Sequence, residues 1–413
     1  MSNPTIYLYA EALTHIRQLT LHASLQTEKN EHTKILLSSD KKIITALHDG
    51  QSASIYLPTQ ISGTAHVTFP IDKKTEISAR LQIDDLGQLK PDIDESGGIE
   101  VPWTAGALTA NTAIRCKDCG ADVLQAGRVT VWKDLPSEHW AELMDFWFCH
   151  KPHDNSTHEH AAESKGFSPT SKFTATPRVG LVDAVSFLLH EEDCPNVQNV
   201  KHPSRIDSCT LKCPGCGITL GFRQEGEIGY RLFKSRLQVI PDLNQDAEQF
   251  PAAIFVCAQL LSLIESSVTR RIVVHADNHT ESDLKTEGLM LWIFNPDIYY
   301  SSSKRGPTVH RAMKVFYKTL PDPVKFLDAN SNVYEELVGT TDDLADFKKS
   351  LQESTEILPQ SARRFQDWDV GLLDRWEKNA TGSAKMDENP LNKKVDEGFE
   401  LFKLPAGMQE LYL

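Results

Sequence analysis

The sequence lacks the long apolar runs of a membrane protein. Hydrophobic residues make up 40% of its 413 residues, but no stretch approaches the roughly 18 apolar residues needed to cross a bilayer. The N-terminal segment MSNPTIYLYAEAL also lacks the basic start, apolar core and small-residue cleavage site of a secretory signal. We therefore expect a soluble protein without a membrane partner, in a reducing compartment that is cytoplasmic, nuclear or both.

Basic clusters are absent as well. The chain has 43 Lys and Arg residues against 57 Asp and Glu residues, a formal net charge of −14. A surface that neutralises phosphates needs a local basic patch, so direct nucleic-acid binding is disfavoured. No Ser/His/Asp order, glycine-rich phosphate loop or H-E-x-x-H motif occurs in a suitable context. The residues alone favour binding over catalysis.

The hydrophobic pattern predicts an α+β protein with three consecutive domains. Residues 1–105 contain short segments of partial period-2 alternation between polar turns, which predict a β-rich sandwich or partial barrel. Residues 106–225 form a cysteine-containing middle region with a polar insertion near 150–172. In residues 226–413, strands and helices alternate as in a mixed α+β domain. Each part is long enough to bury a core of its own.

The last range contains the clearest single predictions. Pro251 suits the first turn of a helix over residues 252–268, and two further helices are predicted at 332–338 and 342–359. One strand is predicted over residues 229–240.

Two copies of one cysteine motif occur in the middle region. RCKDCGADVL and KCPGCGITLG each contain C-x-x-C followed by glycine and a hydrophobic stretch, as in the hairpins of zinc ribbons. Zn²⁺ accepts four thiolates in a tetrahedron, and glycine can take the positive φ that lets the backbone turn its N–H groups toward sulfur. The motifs predict one structural zinc site, with the ligands Cys116, Cys119, Cys213 and Cys216.

Other interpretations of the cysteines stay open. Thioredoxin-type dithiols begin a helix after a strand, and neither motif has that setting, while chance pairing would leave the thiols without a metal. Cys257 shares an apolar helical stripe and is predicted to be a core residue, and Cys209 has no assigned role. A second metal site from Cys149, His190 and Cys194 would need contacts that a sequence does not show.

Cys149 and His150 are the candidate catalytic pair. They follow a predicted amphipathic helix over residues 138–148. A thiol beside an imidazole can ionise more readily and attack a thioester. The C-terminus of a helix opposes this, because its partial negative charge raises the pKa of a thiol, so a packing role for the same residues stays open.

The order of four signatures resembles one known family. C-x-x-C-G at 116–120, FWFCHKPH at 146–153, CPGCG at 213–217 and LPAGMQELYL at the end of the chain are similar to HECT-like ubiquitin ligases, also called ubiquitin-conjugating-enzyme-binding proteins. The resemblance spans nearly the whole chain and implies that residues 226–413 form a HECT-like domain.

This resemblance also implies a function. Members of the family are described as accepting ubiquitin from a conjugating enzyme and passing it to protein substrates. Ligases of the HECT type keep a nucleophilic cysteine near the C-terminus, whereas no cysteine follows Cys257 here. If ubiquitin is carried covalently, Cys149 is therefore the expected nucleophile, with His150 assisting proton removal.

Two non-covalent functions remain alternatives. A zinc-containing scaffold would recruit the conjugating enzyme without a thioester of its own. The family, including its fungal members, is also linked to pre-mRNA 3′-end cleavage and polyadenylation. The chain could accordingly be a non-catalytic chaperone that holds the 3′-end-processing endonuclease before assembly.

Overall fold

The fold is given by a computed structural model of the chain. It describes most of the chain in eleven segments, and every structural statement below refers to them. They are residues 6–61, 74–83, 99–135, 174–201, 208–224, 229–267, 269–276, 287–306, 308–330, 333–378 and 399–401.

The described residues are rich in β-strands and contain three α-helices. The strands are β1 (Ile6–Leu13), β2 (Gln18–Leu25), β3 (Lys34–Ser38), β4 (Ile43–His48), β5 (Gln51–Tyr56), β6 (Glu76–Gln82), β7 (Ala113–Cys116), β8 (Asp122–Leu124), β9 (Val131–Asp134), β10 (Val179–Val182), β11 (Ser186–Leu189), β12 (Gln198–Lys201), β13 (Ser208–Lys212), β14 (Thr219–Gln224), β15 (Tyr230–Phe233), β16 (Leu237–Ile240), β17 (Arg271–Ala276), β18 (Gly288–Ser302), β19 (His310–Leu320), β20 (Glu335–Gly339), β21 (Arg364–Phe365), β22 (Trp368–Asp374) and β23 (Phe399–Leu401). The helices are α1 (Ala252–Ser266), α2 (Pro323–Asn330) and α3 (Thr341–Thr355).

The chain divides into two compact units. Unit 1 combines Met1–Gly98, Thr269–Asp277 and Lys285–Leu413, and unit 2 contains Ile99–Val268 and Asn278–Leu284. Unit 1 is therefore built from segments that are far apart in the sequence, and unit 2 is inserted between them.

A nine-stranded sheet forms the centre of unit 1. Its order is β21-β22-β19-β18-β1-β2-β6, with β17 beside β18 and β20 beside β17. The pairing of β1 with β18 is antiparallel and places Tyr9 opposite Ser302. This pairing joins the N-terminal strands to the strands that follow unit 2.

Successive side chains of a strand point to opposite faces of a sheet, and residues on both faces of this sheet are buried. Ile6, Leu8 and Ala10 share one buried core with Ile35 and Ile44, which belong to a four-stranded sheet of order β23-β3-β4-β5. This layered arrangement agrees with the predicted β-rich N-terminal sandwich or partial barrel at a coarse level. Helix α3 packs along β22, and one of their contacts is a hydrogen bond of 2.9 Å from the backbone N–H of Leu372 to Ser354 Oγ.

The helix predictions had mixed outcomes. Helix α1 begins after Pro251 as expected and ends two residues before the predicted end. Helix α3 begins one residue before the predicted range 342–359 and ends four residues before its end. The helix predicted at 332–338 is wrong, because residues 335–339 form β20, which pairs in parallel with β17. Glu and Leu favour a helix, but so short a segment is barely stable as one, and hydrogen bonds from a neighbouring strand outweigh the preference.

Unit 2 contains two smaller sheets. The larger one has the order β12-β13-β14-β15-β11-β10-β9, and the smaller one the order β16-β7-β8. Residues 229–240 form two strands rather than the single one predicted, because a short 3₁₀ turn at Lys234–Arg236 separates β15 from β16. This turn moves the chain from the larger sheet to the smaller one.

The division into three consecutive domains stays a prediction, because it concerns parts that fold alone. Strand β1 forms hydrogen bonds with β18, so the N-terminal strands share a sheet with residues 288–302. In the described part of the chain, no helix is long and apolar enough to cross a membrane.

Candidate metal centre

The two C-x-x-C-G motifs form two knuckles with the same backbone geometry. In the first knuckle, Cys116–Gly120, the N–H of Gly120 donates to the carbonyl of Cys116 at 2.9 Å. In the second, Cys213–Gly217, the N–H of Gly217 donates to the carbonyl of Cys213 at 3.0 Å. The two glycines have φ values of 73° and 75°, which residues with a Cβ rarely adopt. The predicted role of both glycines is therefore observed.

Each knuckle sits at the turn of a β-hairpin. The first joins β7 to β8 in the three-stranded sheet, and the second joins β13 to β14 in the seven-stranded sheet. Hairpin pairing closes each turn, since the N–H of Cys116 bonds the carbonyl of Ala121 and the N–H of Cys213 bonds that of Ile218. The four thiols consequently come from two different sheets.

The four sulfur atoms converge on one point. All of them lie within 4.8 Å of one another, with 3.7 Å between the Sγ atoms of Cys116 and Cys216 and 3.4 Å between those of Cys119 and Cys213. A disulfide has an S–S distance of about 2.05 Å, and all four cysteines are free. Four thiolates at about 2.3 Å from one tetrahedral ion are about 3.8 Å apart. The observed spacing fits such an ion.

The backbone around Cys213 favours its thiolate. Burial raises the pKa of this thiol, but the backbone N–H groups of Cys216 and Gly215 and the thiols of Cys119 and Cys116 outweigh burial and lower the pKa to about 7. At Cys116, burial dominates over the N–H groups of Cys119 and Asp118 and raises the pKa to about 12. The site therefore holds one thiol ready to ionise, and a bound cation would favour the thiolate form of all four.

Gly215 leaves room for the partner knuckle. A Cβ at this position would lie 3.0 Å from Cys119 Sγ and 3.3 Å from the Cβ of Ala121. The N–H of Gly215 also points at Cys213 Sγ over 3.4 Å. The x positions of a C-x-x-C motif look interchangeable in the sequence, but this one is restricted by the close approach of the two knuckles.

Strand β16 supports the first knuckle from outside. It pairs with β7 so that Leu237 lies opposite Cys116, and Gln238 Nε2 donates to the carbonyl of Cys116 at 3.3 Å. Lys117 Nζ donates to the carbonyl of Phe250 at 2.8 Å. These bonds hold the knuckle in place independently of any ion.

The donor set itself indicates which ions fit. Four sulfur ligands in a tetrahedral arrangement suit zinc or iron, whereas calcium, magnesium and manganese prefer oxygen ligands. Two ligands, Cys116 and Cys213, are buried, and Cys119 and Cys216 are exposed. Four protein ligands would fill the coordination sphere of a tetrahedral ion, which is typical of structural zinc sites.

The remaining described cysteines lie outside the metal centre. Cys257 is buried in α1, as predicted, and Cys209 is half-buried. Burial and the neighbouring Asp193 raise the pKa of the buried Cys194 thiol far above its usual value. His190 Nδ1 accepts a backbone hydrogen bond of 3.3 Å from Glu192. Cys149 and His150 lie outside the described residues, as do the polar insertion near 150–172 and the predicted helix over 138–148.

A buried lysine in the same unit was not predicted from the sequence. The side chain of Lys234 is fully buried, and its Nζ donates to the carbonyls of Pro102 and Trp103 at 3.0 and 3.3 Å. Burial lowers its pKa to about 8. Lys234 thus ties the first residues of unit 2 to the 3₁₀ turn between its two sheets. No sequence signal marks it, because it stands in an ordinary polar tripeptide.

Comparison with known proteins identifies similar chains. A protein-family model described as HECT-like ubiquitin-conjugating enzyme (E2)-binding matches residues 11–370. An uncharacterized protein of Saccharomyces cerevisiae is 26% identical over 270 residues, which are 65% of this chain and 71% of that protein. An uncharacterized protein of Schizosaccharomyces pombe is 24% identical over 303 residues, 70% of this chain and 81% of its own length. No solved structure matches the chain.

Proposed function

The chain belongs to the HECT-like family that binds ubiquitin-conjugating enzymes, and on this premise we propose that it binds such an enzyme and promotes transfer of ubiquitin to protein substrates. The observation that carries the proposal is the family match over residues 11–370. This range includes both knuckles and all of the nine-stranded sheet except the first residues of β1 and the last residues of β22.

The proposed role of the metal centre is structural. Zinc at Cys116, Cys119, Cys213 and Cys216 would join the three-stranded and seven-stranded sheets of unit 2. With four protein ligands it leaves no open position for water or substrate, so it supplies folding free energy rather than Lewis-acid chemistry.

The proposed covalent step uses Cys149. Its thiolate attacks the carbonyl carbon of the thioester that links ubiquitin to the conjugating enzyme, and the thiolate of that enzyme leaves. His150 takes the proton of Cys149 before the attack. The amine of a substrate lysine then displaces Cys149 and forms an amide bond. Support comes from elimination, because each described cysteine is either a member of the metal centre, buried or half-buried.

A transfer assay tests both parts of this proposal. The full-length protein is incubated with ubiquitin, activating enzyme, ATP and each of a panel of conjugating enzymes, and the mixtures are run on non-reducing gels. We expect at least one conjugating enzyme to bind, its ubiquitin thioester to be consumed faster, and a thiol-sensitive adduct of this protein to form. Cys149→Ser should abolish the adduct and the transfer, and the matched control Cys209→Ser should keep both.

The outcomes separate the alternatives. If no conjugating enzyme binds, the proposed function is wrong. If substrates are ubiquitylated without an adduct and Cys149→Ser is fully active, the protein is a non-covalent scaffold, a function that the scarcity of accessible thiols among the described residues also favours. If ubiquitin transfer is absent and the 3′-end-processing endonuclease co-purifies from cells, the chaperone function implied by the resemblance replaces it.

A further inference from the structure

Five aromatic side chains form one cluster at an end of the nine-stranded sheet, named here the five-ring cluster. Phe316 stacks between Phe294 and Phe365, with ring centroids 4.9 and 5.0 Å apart. Trp292 meets Phe316 edge-on at 5.2 Å and lies 6.3 Å from Trp368. These rings come from β18, β19, β21 and β22, so the cluster spans four neighbouring strands.

The outer rings of the cluster face solvent. Phe294 is 46% exposed and Phe365 is 38% exposed, whereas Phe316, on which both stack, is 5% exposed. Trp292 and Trp368 are half-buried. Single exposed apolar residues are common on protein surfaces, whereas two exposed rings in one aromatic cluster are apolar surface of the kind that interaction sites use.

Charged residues hold the irregular segment that follows Phe294. The register of β18 against β19 shifts around Asn295, directly after Phe294, and bulges of this kind re-aim a side chain. The carboxylate of Asp297 anchors the irregular segment. Arg311 donates hydrogen bonds to its two oxygens at 2.6 and 3.0 Å, and Arg375 Nη1 lies 3.3 Å from its Oδ1. The segment after Phe294 is therefore held by ion pairs, and the ring itself stacks on Phe316 at 4.9 Å. Such preorganisation lowers the entropic cost of binding.

An arginine that forms no ion pair within the described part of the chain borders the cluster. The guanidinium of Arg271 lies 6.0 Å from the ring of Trp292 and 6.0 Å from that of Tyr334. No carboxylate of the described residues forms an ion pair with it, although the chain has 57 acidic side chains against 43 basic ones. By contrast, Lys318, which lies over Trp368, is paired with Asp367 at 2.9 Å. Arg271 is thus available to a carboxylate of a partner.

We infer that the five-ring cluster is the docking surface for the conjugating enzyme, which contributes an apolar side chain to the rings and a carboxylate to Arg271. The inference rests on the proposed function, which supplies the partner. Aromatic residues and arginine are the residue types that most often dominate binding free energy at protein interfaces. Nucleic-acid bases also stack on exposed rings, but the net charge of −14 disfavours a polyanion.

Two variants of the full-length protein test this inference. Phe294→Ala combined with Phe365→Ala removes the exposed rings, and Arg271→Glu reverses the charge beside Trp292. Affinity for the conjugating enzyme that binds the wild-type protein is measured by calorimetry, together with melting temperature and metal content. We expect each variant to bind at least about tenfold more weakly, with melting temperature and metal content close to the wild-type values. The Arg271→Glu defect should shrink at high salt.

Matched controls remove equivalent groups elsewhere. Leu243→Ala takes away an apolar side chain that is 65% exposed in unit 2, and Lys349→Glu makes the same charge reversal at a side chain that is 74% exposed on α3. Both should bind within about twofold of the wild-type protein, since neither touches the cluster. Weaker binding in the controls as well would show that the effects are not specific to this surface and would overturn the inference.

Three further results would also overturn the inference. Binding that is unchanged in both cluster variants would locate the docking surface elsewhere and leave the proposed function intact. Failure of the wild-type protein to bind any conjugating enzyme would refute both. Self-association of the wild-type protein in sedimentation, lost in the double variant while enzyme binding persists, would make a second copy of the chain the occupant.

Discussion

Gly215 shows how a single position limits the metal centre. We expect Gly215→Ala to weaken metal binding and to lower the free energy of unfolding by about 1 kcal/mol or more, because the new methyl group would press on Cys119 Sγ at 3.0 Å. Chelator competition and chemical unfolding measure the two effects. Gly106→Ala is the control, since a Cβ there meets nothing within 4 Å. Equal stability of the two variants would contradict the close approach of the knuckles.

His22 predicts a dependence of stability on pH. Its Nδ1 is buried without a hydrogen-bond partner in the described structure. Burial lowers its pKa below the ordinary 6.5, and Lys314 adds to this while Glu11 opposes it. The unfolded chain therefore takes up a proton near pH 6.5 that the folded chain takes up only at lower pH. The stability due to neutral His22 is present above pH 6.5 and is lost as the pH falls below it.

Urea unfolding at pH 7.5 and pH 5.5 measures this effect. We expect the free energy of unfolding of the wild-type protein to be lower at pH 5.5 than at pH 7.5. The decrease should be smaller in His22→Gln, because the variant has no imidazole to protonate at this position. His32→Gln is the control, since it removes an imidazole whose side chain is 75% exposed. A fall of the same size in His22→Gln would show that other groups cause it.

Among single residues, the sequence identified those with a chemical signature. The four cysteines and the two knuckle glycines were predicted because C-x-x-C-G has a defined backbone geometry. Lys234, Arg271 and Phe294 were not, because their burial or exposure depends on which strands become neighbours. A lysine in a polar tripeptide and a phenylalanine in a strand look ordinary until those neighbours are known.

Among strands and helices, long patterns were more informative than short ones. Helix α1 was predicted from Pro251 and an apolar stripe over four turns. Strand β20 was mistaken for a helix because five residues carry little periodicity, and its state depends on hydrogen bonds from β17. The hydrophobic alternation of a strand also does not identify its pairing partners, since the same alternation is compatible with many partners and registers.

Strand β14 contains a glycine on which its pairing depends. In Gly221→Ala the new methyl group would overlap the carbonyl oxygen of Arg231 on β15, and backbone atoms in a sheet have little freedom to move. We expect a loss of about 3 kcal/mol in unfolding free energy. Gly339→Ala is the control, because its Cβ would lie 3.9 Å from the nearest atom. Stability close to that of the control would argue against the β14–β15 pairing.

For the chain as a whole, metal removal should lower the stability of unit 2 more than that of unit 1. We expect elemental analysis to find about one zinc per chain, and chelation to lower the melting temperature by about 10 °C or more, because a structural site contributes several kcal/mol to folding. Cys209→Ser should retain both the metal and the melting temperature. Absence of zinc, or an unchanged melting temperature after all four cysteines of the metal centre are replaced by serine, would refute the structural role.

A truncated chain tests the predicted N-terminal domain. We expect residues 1–105 alone not to unfold cooperatively, because β1 loses its partner β18 and exposes an unpaired strand edge. Near-ultraviolet circular dichroism during urea unfolding measures this, with the full chain as the reference. A cooperative transition of the fragment would instead support an independent domain at 1–105.

Some properties of this protein follow from the sequence without knowledge of its fold. The amino-acid sequence alone indicated a β-rich N-terminal part, a four-thiol centre and a resemblance to the family, because metal-binding motifs and hydrophobic alternation act over a few residues. Contacts between distant segments settled the rest: the pairing of β1 with β18, the convergence of the knuckles from two sheets and the assembly of five rings on four strands. Each of these depends on which surfaces exclude water together, and that is a property of the folded chain.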